Sequence, residues 1–370
     1  MMHVKIDNIP DFYKTNSNNN TEVSHVILED EKRMQITLLT YGAAISRLMI
    51  PNRNGLLENV VLGYQTDSSY QNNPLYAGAT LAPTAGRIKG AELPIHSRLC
   101  RLSQNDGRHN LHGGFLNASF QNWSIKTYEE SPDSCSVTFK LHLPDGLDGF
   151  PGNRNFSVSY TLKRPGILEV AYEAESDMPT YFNPSNHAYF NLSGDFTRSG
   201  LEQELQIYAT LYVANDKEHI PAAILPCAGT AFDFSTPIAP AAQMQNFPED
   251  GQLKIAHGYN NAFLLDDFPA YETPASASLP CSRQLKKALS LKDNASGRSL
   301  TLFTDAPAVV LYTGGYIGDG HLLTGNTISS TSCAIALEAQ DIPDVPHIAP
   351  EQYHLTAPGE RFRRTILYVF

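Results

Sequence analysis

The sequence predicts an all-β protein, built as a large β-sandwich or a related barrel. Alternation of apolar and polar residues recurs along the chain, whereas helical periodicity is scarce. The chain of 370 residues contains 25 Gly and 24 Pro, which are spread throughout, so turns recur at short intervals. Many short strands separated by frequent turns are typical of sandwiches and barrels, and the 42% hydrophobic content supports a sizeable core.

A hairpin in the middle of the chain gives the clearest strand signal. Apolar residues alternate with small polar ones over Phe156–Leu162, and Lys163–Gly166 follows with a Pro-Gly pair that favours a turn. The alternation then resumes over Leu168–Glu175, with glutamates on one face. The pattern predicts two paired strands with one buried face and one solvated face.

Further strands and turns follow from the same pattern. Alternation predicts strands over Val137–Leu141, Leu205–Ala209, Leu300–Phe303 and Thr365–Phe370, and two strands within Met34–Ile50 that are broken at Tyr41-Gly42. Short helical candidates occur at Asp67–Gln71 and Gln284–Leu289.

Two polar or Pro-rich stretches are predicted to be surface loops. Thr15–Thr21 contains four Asn, and Phe268–Ser282 is rich in Pro, Ala and Ser. Strands resume after the second stretch, so we expect a loop there and not a domain boundary. The sequence therefore predicts one domain over residues 1–370.

Charge and cysteine content limit the partners and the compartment. The net charge of −11 repels phosphate backbones and anionic membranes, so nucleic acid and membrane surfaces are not expected partners. The five cysteines form no CxxC pair, which fits free thiols in a reducing compartment. The N-terminus lacks the features of a signal peptide, and no apolar run approaches the roughly 20 residues of a membrane span. We expect a soluble, cytoplasmic protein.

His187 lies in the segment Asn-Pro-Ser-Asn-His-Ala-Tyr-Phe-Asn-Leu-Ser-Gly at 183–194. An isolated histidine is usually structural. Here Pro184 and Asn186 interrupt the strand pattern, and polar residues on irregular backbone between strands are typical of functional sites. Histidine is also a natural general acid near neutral pH.

Glu338 ends an apolar run that begins at Cys333 and reads as a buried strand. A carboxylate there is costly unless it is paired or functional, and both interpretations remain open from this segment. Two histidines also occur in His109-Asn-Leu-His112-Gly-Gly. They would need a further ligand to hold a metal, and no cluster in the sequence has a zinc-like spacing, so no metal is expected. Arg87 follows Gly86 in a Gly-Arg-Ile-x-Gly pattern, and its donors would suit sugar hydroxyls if it pointed inward.

Taken together, five ordered segments resemble the aldose 1-epimerase (galactose mutarotase) family. They are Gly-Arg-Ile-x-Gly at 86–90, Asn-Leu-His-Gly-Gly at 110–114, Asn-His-Ala-Tyr-Phe-Asn-Leu-Ser-Gly at 186–194, Gly-Tyr-Asn-Asn-Ala-Phe-Leu-Leu at 258–265, and Leu-Glu-Ala-Gln-Asp-Ile-Pro-Asp at 337–344.

The resemblance implies a single-domain β-supersandwich with a sugar cleft on a concave sheet face. It implies that His187 is the general acid at the ring oxygen and that Glu338 is the general base at the anomeric hydroxyl. His112 would orient the sugar, and Arg87 and Asn260 would bind its hydroxyls. The implied partner is a small free aldose, with no cofactor, and the implied protein is a monomer or a homodimer.

Three positions depart from the family pattern. Many members have Asn where this chain has Gly86, Asp-His where it has Asn260-Asn261, and Asn where it has Gly315. An asparagine lacks the charge that makes aspartate a strong acceptor. The sequence therefore predicts mutarotase chemistry with an altered sugar preference.

Three other functions remain open from the sequence. The altered binding positions fit a non-catalytic carbohydrate-binding or regulatory protein on the same fold. A glycoside hydrolase or lyase would need a second carboxylate, for which Asp341 and Asp344 are the nearby candidates. An epimerase for sugar phosphates would need cations beyond Arg87, and Lys89 and Arg108 are the candidates.

Overall fold

Three antiparallel sheets form the body of the protein in a computed structural model that describes residues 1–10, 12, 22–30, 33–267 and 284–370. The strands up to residue 176 in these ranges are β1 (Met2–Ile9), β2 (Val23–Asp30), β3 (Met34–Leu39), β4 (Ala44–Pro51), β5 (Leu57–Asn59), β6 (Thr80–Leu81), β7 (Arg87–Ile88), β8 (Glu92–Ile95), β9 (Arg98–Arg101), β10 (Asn110–Leu111), β11 (Ser124–Glu130), β12 (Ser134–Leu143), β13 (Arg154–Lys163) and β14 (Ile167–Ser176).

The later strands are β15 (Ser185–Asn186), β16 (Tyr189–Phe190), β17 (Glu204–Ile207), β18 (Ala209–Asn215), β19 (Pro221–Pro226), β20 (Asn260–Leu265), β21 (Lys286–Lys292), β22 (Ser299–Thr304), β23 (Ala308–Tyr312), β24 (Leu322–Leu323), β25 (Thr327–Ile328), β26 (Ile335–Gln340) and β27 (Phe362–Val369). The α-helices in the described ranges are α1 (Pro240–Asn246), α2 (Gly251–Ala256) and α3 (Val345–Ile348). Single 3₁₀ turns occupy Asp67–Gln71, Lys89–Ala91, Ala118–Phe120, Leu147–Gly149, Gly200–Glu202 and Pro350–Gln352.

The sheets have five, eight and six strands. Their orders are β1-β2-β3-β4-β5, β11-β12-β13-β14-β27-β22-β21-β17 and β16-β26-β23-β20-β18-β19. Apolar residues from all three sheets meet in one large core, as Ile36, Val158 and Leu337 illustrate. The predicted all-β sandwich is therefore confirmed.

The six-stranded sheet carries different residues on its two faces. Ile335, Leu337 and Ala339 of β26 face the large core, since side chains alternate along a strand. Glu338 and Gln340 lie on the opposite face, which bounds a cavity. The alternation of one strand thus separates a packing face from a polar face.

Most of the predicted elements are present. β13 and β14 pair over their full length, as the hairpin prediction requires, and Met34–Ile50 is broken into β3 and β4 around Tyr41-Gly42. The short helix predicted at Asp67–Gln71 is a 3₁₀ turn. Both predicted loops, Thr15–Thr21 and Phe268–Ser282, lie outside the described residues.

Two predictions about the elements were wrong. Gln284–Leu289 is not helical, because β21 runs from Lys286 and pairs with β22. The stretch Leu205–Ala209 is not one strand either. It divides at Tyr208 into β17 of the eight-stranded sheet and β18 of the six-stranded sheet.

Four of the five cysteines lie in the described ranges, and each is a free thiol. They are Cys100, Cys135, Cys227 and Cys333. In the described part of the chain, no helix is long and apolar enough to cross a membrane.

Candidate active site

A cavity of about 240 Å³ lies against the polar face of the six-stranded sheet. Its lining comes from that sheet and from the loops and short ribbons packed over it. All five residues predicted from the sequence as site residues line it: Arg87, His112, His187, Asn260 and Glu338. The chain therefore brings together segments that are up to 251 positions apart, from Arg87 to Glu338.

Strand register places His187 opposite Glu338. The short strand β16 pairs with β26 so that Tyr189 faces Ala336. Continuing this antiparallel register by two residues puts His187 across from Glu338. The structure has His187 Nε2 3.6 Å from Glu338 Oε1, which agrees with this extended register.

Asn186 holds the irregular backbone around His187. Its side-chain amide donates to the Gly78 carbonyl at 2.8 Å and accepts from the Ala188 amide at 2.9 Å. The backbone of His187 also bonds in both directions, donating to Ala79 and accepting from Gly78, each at 3.0 Å. This anchoring explains why an asparagine precedes the histidine.

A second ribbon positions His112 and Arg87. β7 and β10 pair with Arg87 opposite Leu111, and the His112 amide donates to the Gly86 carbonyl at 3.0 Å. The Gly86 amide donates in return to His112 Nδ1 at 3.2 Å. Because Nδ1 accepts, the neutral imidazole carries its proton on Nε2 and can donate it.

Burial perturbs the titration of the three central groups. It raises the pKa of the Glu338 carboxyl to about 8, although Arg87 and a hydrogen bond from Gln340 oppose that rise. Burial lowers the pKa of His187 to about 4, and burial together with the neighbouring His187 and Arg87 lowers the pKa of His112 well below its usual value. At neutral pH these shifts leave Glu338 protonated and His187 uncharged, so their contact is not an ion pair.

The aromatic residues of the cavity surround the histidines. The rings of His112 and His187 are 5.5 Å apart and nearly perpendicular. Tyr76 packs against His112 with ring centroids 4.8 Å apart, and Tyr189 packs against His187 at the same distance. Tyr312 makes an edge-on contact with His187, with ring centroids 6.3 Å apart. These rings limit the motion of the histidines and dry their surroundings.

The outer part of the cavity is more polar and more exposed. Arg87 Nε donates to Asp106 at 2.7 Å while the arginine still lines the cavity. Asn260 lies opposite Tyr312 in the ladder of β20 and β23. His219 Nε2 is 3.1 Å from the hydroxyl of Tyr316, which donates to the Ile255 carbonyl at 2.7 Å.

The three departures from the family pattern have different structural consequences. Gly86 has a φ of +74°, and an added Cβ would lie 3.1 Å from Gln340 Oε1. A side chain at Gly315 would clash with the Ala256 carbonyl, 2.4 Å from the Cβ position. Gly315 does not line the cavity, whereas Gly86 and Asn260 do.

Several cavity residues were not predicted from the sequence: Tyr76, His219, Tyr312, Tyr316 and Gln340. Gln340 could have been found, because it is two residues beyond Glu338 on a strand and so shares its face. Tyr76, His219 and Tyr316 lie on loops, where no periodicity indicates direction.

The other candidate charges point elsewhere. Glu338 is the one carboxylate among the described residues that line the cavity. Asp341 bonds to Tyr181 and Arg364, and Asp344 accepts from the Lys89 amide. Arg108 pairs with Glu218 at 2.5 Å. In the described ranges, no three His, Cys, Asp or Glu side chains are grouped as metal ligands.

The β-sandwich holds a carboxyl and an imidazole in contact at a buried cavity, an arrangement suited to proteins that move protons on a small polar molecule. Comparisons with known proteins then give the family. Residues 24–369 match the profile of the aldose 1-epimerase family, and the chain belongs to that family. Its members are isomerases that act on carbohydrates, and this protein is an enzyme of that kind.

Curated relatives match most of the chain. Galactose mutarotase of Mus musculus is 28% identical over 340 residues, covering 91% of each chain. Aldose 1-epimerase of Haemophilus influenzae is 31% identical over 326 residues, covering 87% of each. Maltose epimerase of Levilactobacillus brevis is 27% identical over 354 residues, covering 95% of this chain and 96% of its own.

A solved structure supports the same family. Galactose 1-epimerase of Lactobacillus acidophilus superposes with a TM-score of 0.82 at 26% identity, covering 100% of this chain and 98% of its own.

Proposed function

We propose that the protein interconverts the α and β anomers of a free aldose by acid–base ring opening and closure at His187 and Glu338. The observation that carries the proposal is the 3.6 Å approach of His187 Nε2 to Glu338 Oε1 at the buried end of a sugar-sized cavity. The reaction removes a proton from the anomeric hydroxyl and adds one to the ring oxygen. The aldehyde form then rotates about C1–C2 and closes again.

The pair can serve both directions of this reaction with a single proton. Ring opening starts from the form in which the proton of Glu338 has passed to His187. Glu338 as base then takes the O1 proton while His187 as acid gives its proton to the ring oxygen. The pair then holds its proton on Glu338, which is the neutral state that the opposite pKa shifts favour in the free protein. Ring closure reverses both transfers, and either face of the aldehyde yields a product.

The neighbouring groups support binding in this proposal. The Nε2–H of His112 would donate near the ring oxygen and orient the sugar. Arg87 and Asn260 at the outer part of the cavity would bind hydroxyls. No step requires a metal, a redox cofactor or a covalent intermediate.

Galactose is the first substrate to test, because several relatives are named for it. A disaccharide with a free anomeric carbon is the second, because another relative is a maltose epimerase. The absent side chain at Gly86 and the uncharged Asn260 favour a preference that differs from that of relatives carrying Asn and Asp there.

We further propose one domain over residues 1–370, because the three sheets share one core. A monomer or a homodimer in the cytoplasm remains our expectation.

The test is mutarotation of pure anomers, followed by polarimetry at neutral pH. Wild type should accelerate the reaction of an aldose, and Glu338→Gln and His187→Asn should each lose roughly 10²–10⁴-fold in rate while still binding sugar. Equal rates for wild type and Glu338→Gln would favour the carbohydrate-binding alternative. Release of reducing ends from a disaccharide would favour a glycoside hydrolase, and activity confined to sugar phosphates would favour a sugar-phosphate epimerase.

A further inference from the structure

The two carboxyl oxygens of Glu338 have different neighbours. Oε1 faces His187, while Oε2 accepts a hydrogen bond from Gln340 Nε2 at 3.2 Å. A side-chain amide can present either its NH₂ end or its oxygen, and only the NH₂ end can donate to a carboxylate. The direction in which the Gln340 amide points therefore decides whether Glu338 Oε2 receives a hydrogen bond.

Asn183 settles that direction. Its Oδ1 accepts from the Asp341 backbone amide at 2.7 Å and from Arg364 Nη1 at 2.6 Å. Both partners are donors only, so the atom between them must be the oxygen. The Nδ2 end of Asn183 then faces Gln340 Oε1 at 3.5 Å. The same Nδ2 also donates to the Ala85 carbonyl at 3.4 Å, and both bonds are at the long limit of hydrogen bonding.

Arg364 anchors the far end of this chain of bonds. Its Nη2 donates to Asp341 Oδ1 at 2.5 Å, and the Tyr181 hydroxyl donates to Asp341 Oδ2 at 2.9 Å. Arg364, Asn183 and Gln340 are 5%, 1% and 1% exposed, so these side chains bond mainly to one another. Arg364 belongs to β27 of the eight-stranded sheet and Gln340 to β26 of the six-stranded sheet, so the network joins the two layers.

We propose that Arg364 and Asn183 are positioning residues for the reaction, which hold the Gln340 amide with its NH₂ end on Glu338 and thereby aim Oε1 of that carboxyl at the sugar. This inference rests on the proposed function. Gly86 belongs to the same arrangement, because a Cβ there would lie 3.1 Å from Gln340 Oε1 and crowd the amide.

Asn183→Asp is the sharpest test, because the two side chains are nearly isosteric. One carboxylate oxygen can still accept from Arg364 and from the Asp341 amide, but the other presents an acceptor to Gln340 where a donor stood. The Gln340 amide is then expected to reverse and leave Glu338 without its donor. We expect kcat to fall about ten-fold and the alkaline limb of the pH–activity profile to move up by about one unit, which is what a hydrogen bond to a charged group is worth.

The other groups that influence Glu338 are unchanged in this variant. The charged and titratable groups whose charges couple to it or that contact it are His187, Arg87, Tyr189, Tyr312 and Tyr368. A shift of the alkaline limb therefore has one of two causes, which are the altered bonds from Asn183 through Gln340 to Glu338 and the new charge at position 183.

A double-mutant cycle separates those two causes. Gln340→Met removes the donor while keeping the length of the side chain, and it should move the alkaline limb in the same direction. If Asn183 acts through Gln340, Asn183→Asp should move the limb less in the Gln340→Met background than in wild type, and the part that remains measures the new charge. A shift of the same size in both backgrounds would overturn the proposal, as would a wild-type kcat and alkaline limb for Asn183→Asp.

Tyr181→Phe is the matched control. It removes a hydrogen bond to Asp341 on the branch that does not lead to Glu338, so Tm should fall while the alkaline limb stays in place. A limb shift in Tyr181→Phe equal to that of Asn183→Asp would mean general loosening and would contradict the proposal. If Asn183→Asp fails to fold, Arg364→Lys replaces it, because a lysine can pair with Asp341 but lacks the second nitrogen that reaches Asn183.

The outcome also distinguishes this inference from the proposed function. Wild-type activity in Glu338→Gln would end the proposed function itself. Loss of activity in Glu338→Gln together with unaltered profiles in Asn183→Asp and Gln340→Met would leave the function standing and end only the positioning role.

Discussion

The floor and the rim of the cavity differ in what surrounds their polar groups. We define the floor as His112, His187, Glu338 and Gln340, and the rim as Arg87, Asn260, His219 and Tyr316. His187 and Glu338 are 5% and 4% exposed, whereas Tyr316 is 50% exposed. Strand pairing and hydrogen bonds to the backbone fix the positions of the floor side chains. The rim side chains are more exposed, so water can compete for their hydrogen bonds.

This difference assigns different work to the two regions. Burial moves the pKa values of His187 and Glu338 away from their usual range, so the proposed proton transfer depends on the floor remaining dry. The rim residues are placed to bind the sugar, and among them Arg87 also acts on the floor, because its charge opposes the raised pKa of Glu338. The departure at Asn260 lies in the rim, whereas Gly86 contacts the floor, since it bonds to His112 and lies next to Gln340.

The largest effect outside the proposed proton-transfer pair, His187 and Glu338, is expected for His112→Asn. Asparagine tolerates the φ of +51° at this position, so the backbone should persist while the Nε2–H donor is lost. We expect kcat/KM to fall about 10²-fold, measured by polarimetry. His109→Asn is the control, since His109 is buried in the same segment without lining the cavity. An equal loss in both variants would argue against a specific role for His112.

The pH dependence tests whether the floor works as one protonated pair. The raised pKa of Glu338 means that the free enzyme keeps the shared proton until the pH rises through about 8. Above that pH, kcat/KM should fall about ten-fold per unit, since the active form loses its single proton. Profiles of kcat/KM from pH 6 to 10 would measure this. A profile that stays flat to pH 10 would contradict the one-proton description.

Arg87→Met addresses the rim. Loss of the guanidinium should raise KM about ten-fold, because it removes a contact to a sugar hydroxyl. It should also raise the pKa of Glu338 further, because the charge of Arg87 opposes the effect of burial on that carboxyl. Arg108→Met provides the matched control, since that arginine pairs with Glu218 away from the cavity lining. A fall in kcat without a change in KM would place Arg87 with the floor instead.

The stability of Glu338→Gln tests the cost of the buried carboxyl. Because folding raises the pKa of Glu338, its contribution to stability is fully present below the unfolded value of about 4.5 and is lost as pH rises through about 8. Glutamine has no charge to bury, so the variant should gain on wild type as pH increases. We expect an advantage of about 1 kcal/mol at pH 9, which is roughly 1 °C in Tm for 370 residues, and little at pH 5. An advantage independent of pH would mean that ionisation is not its cause.

How far the sequence predicts this molecule depends on whether a signal is local. The hairpin of β13 and β14 is predictable because each strand alternates without interruption. The sequence of β21 resembles a helix because its apolar residues do not alternate strictly. A register shift between Lys287 and Leu289 leaves two consecutive residues, Ala288 and Leu289, buried. β17 and β18 read as one strand because the alternation continues through Tyr208 while the chain changes sheets.

The site shows the same limit. Motifs indicated His187 and Glu338, but their contact is a consequence of the pairing between β16 and β26, which no local pattern encodes. Gln340 shares the face of Glu338 and could be inferred from strand periodicity. Asn183 and Arg364 could not, because their connection to Glu338 exists only where two sheets meet.

The smallest effect is expected at Asn260, where the rim chemistry departs from relatives with an aspartate. Asn260→Asp supplies a charged acceptor, which forms stronger hydrogen bonds with hydroxyls than an amide does. We expect the ratio of kcat/KM for galactose and glucose to change about three-fold, while the pH profile set by the floor keeps its position. Asn261→Asp is the control within the same dipeptide, because Asn261 donates to the Val213 carbonyl at 2.8 Å and to Gln252 at 3.1 Å, inside the protein. Asn261→Asp should lose stability without changing the ratio of kcat/KM for the two sugars. A shifted pH profile in Asn260→Asp would mean that the rim and the floor are not independent.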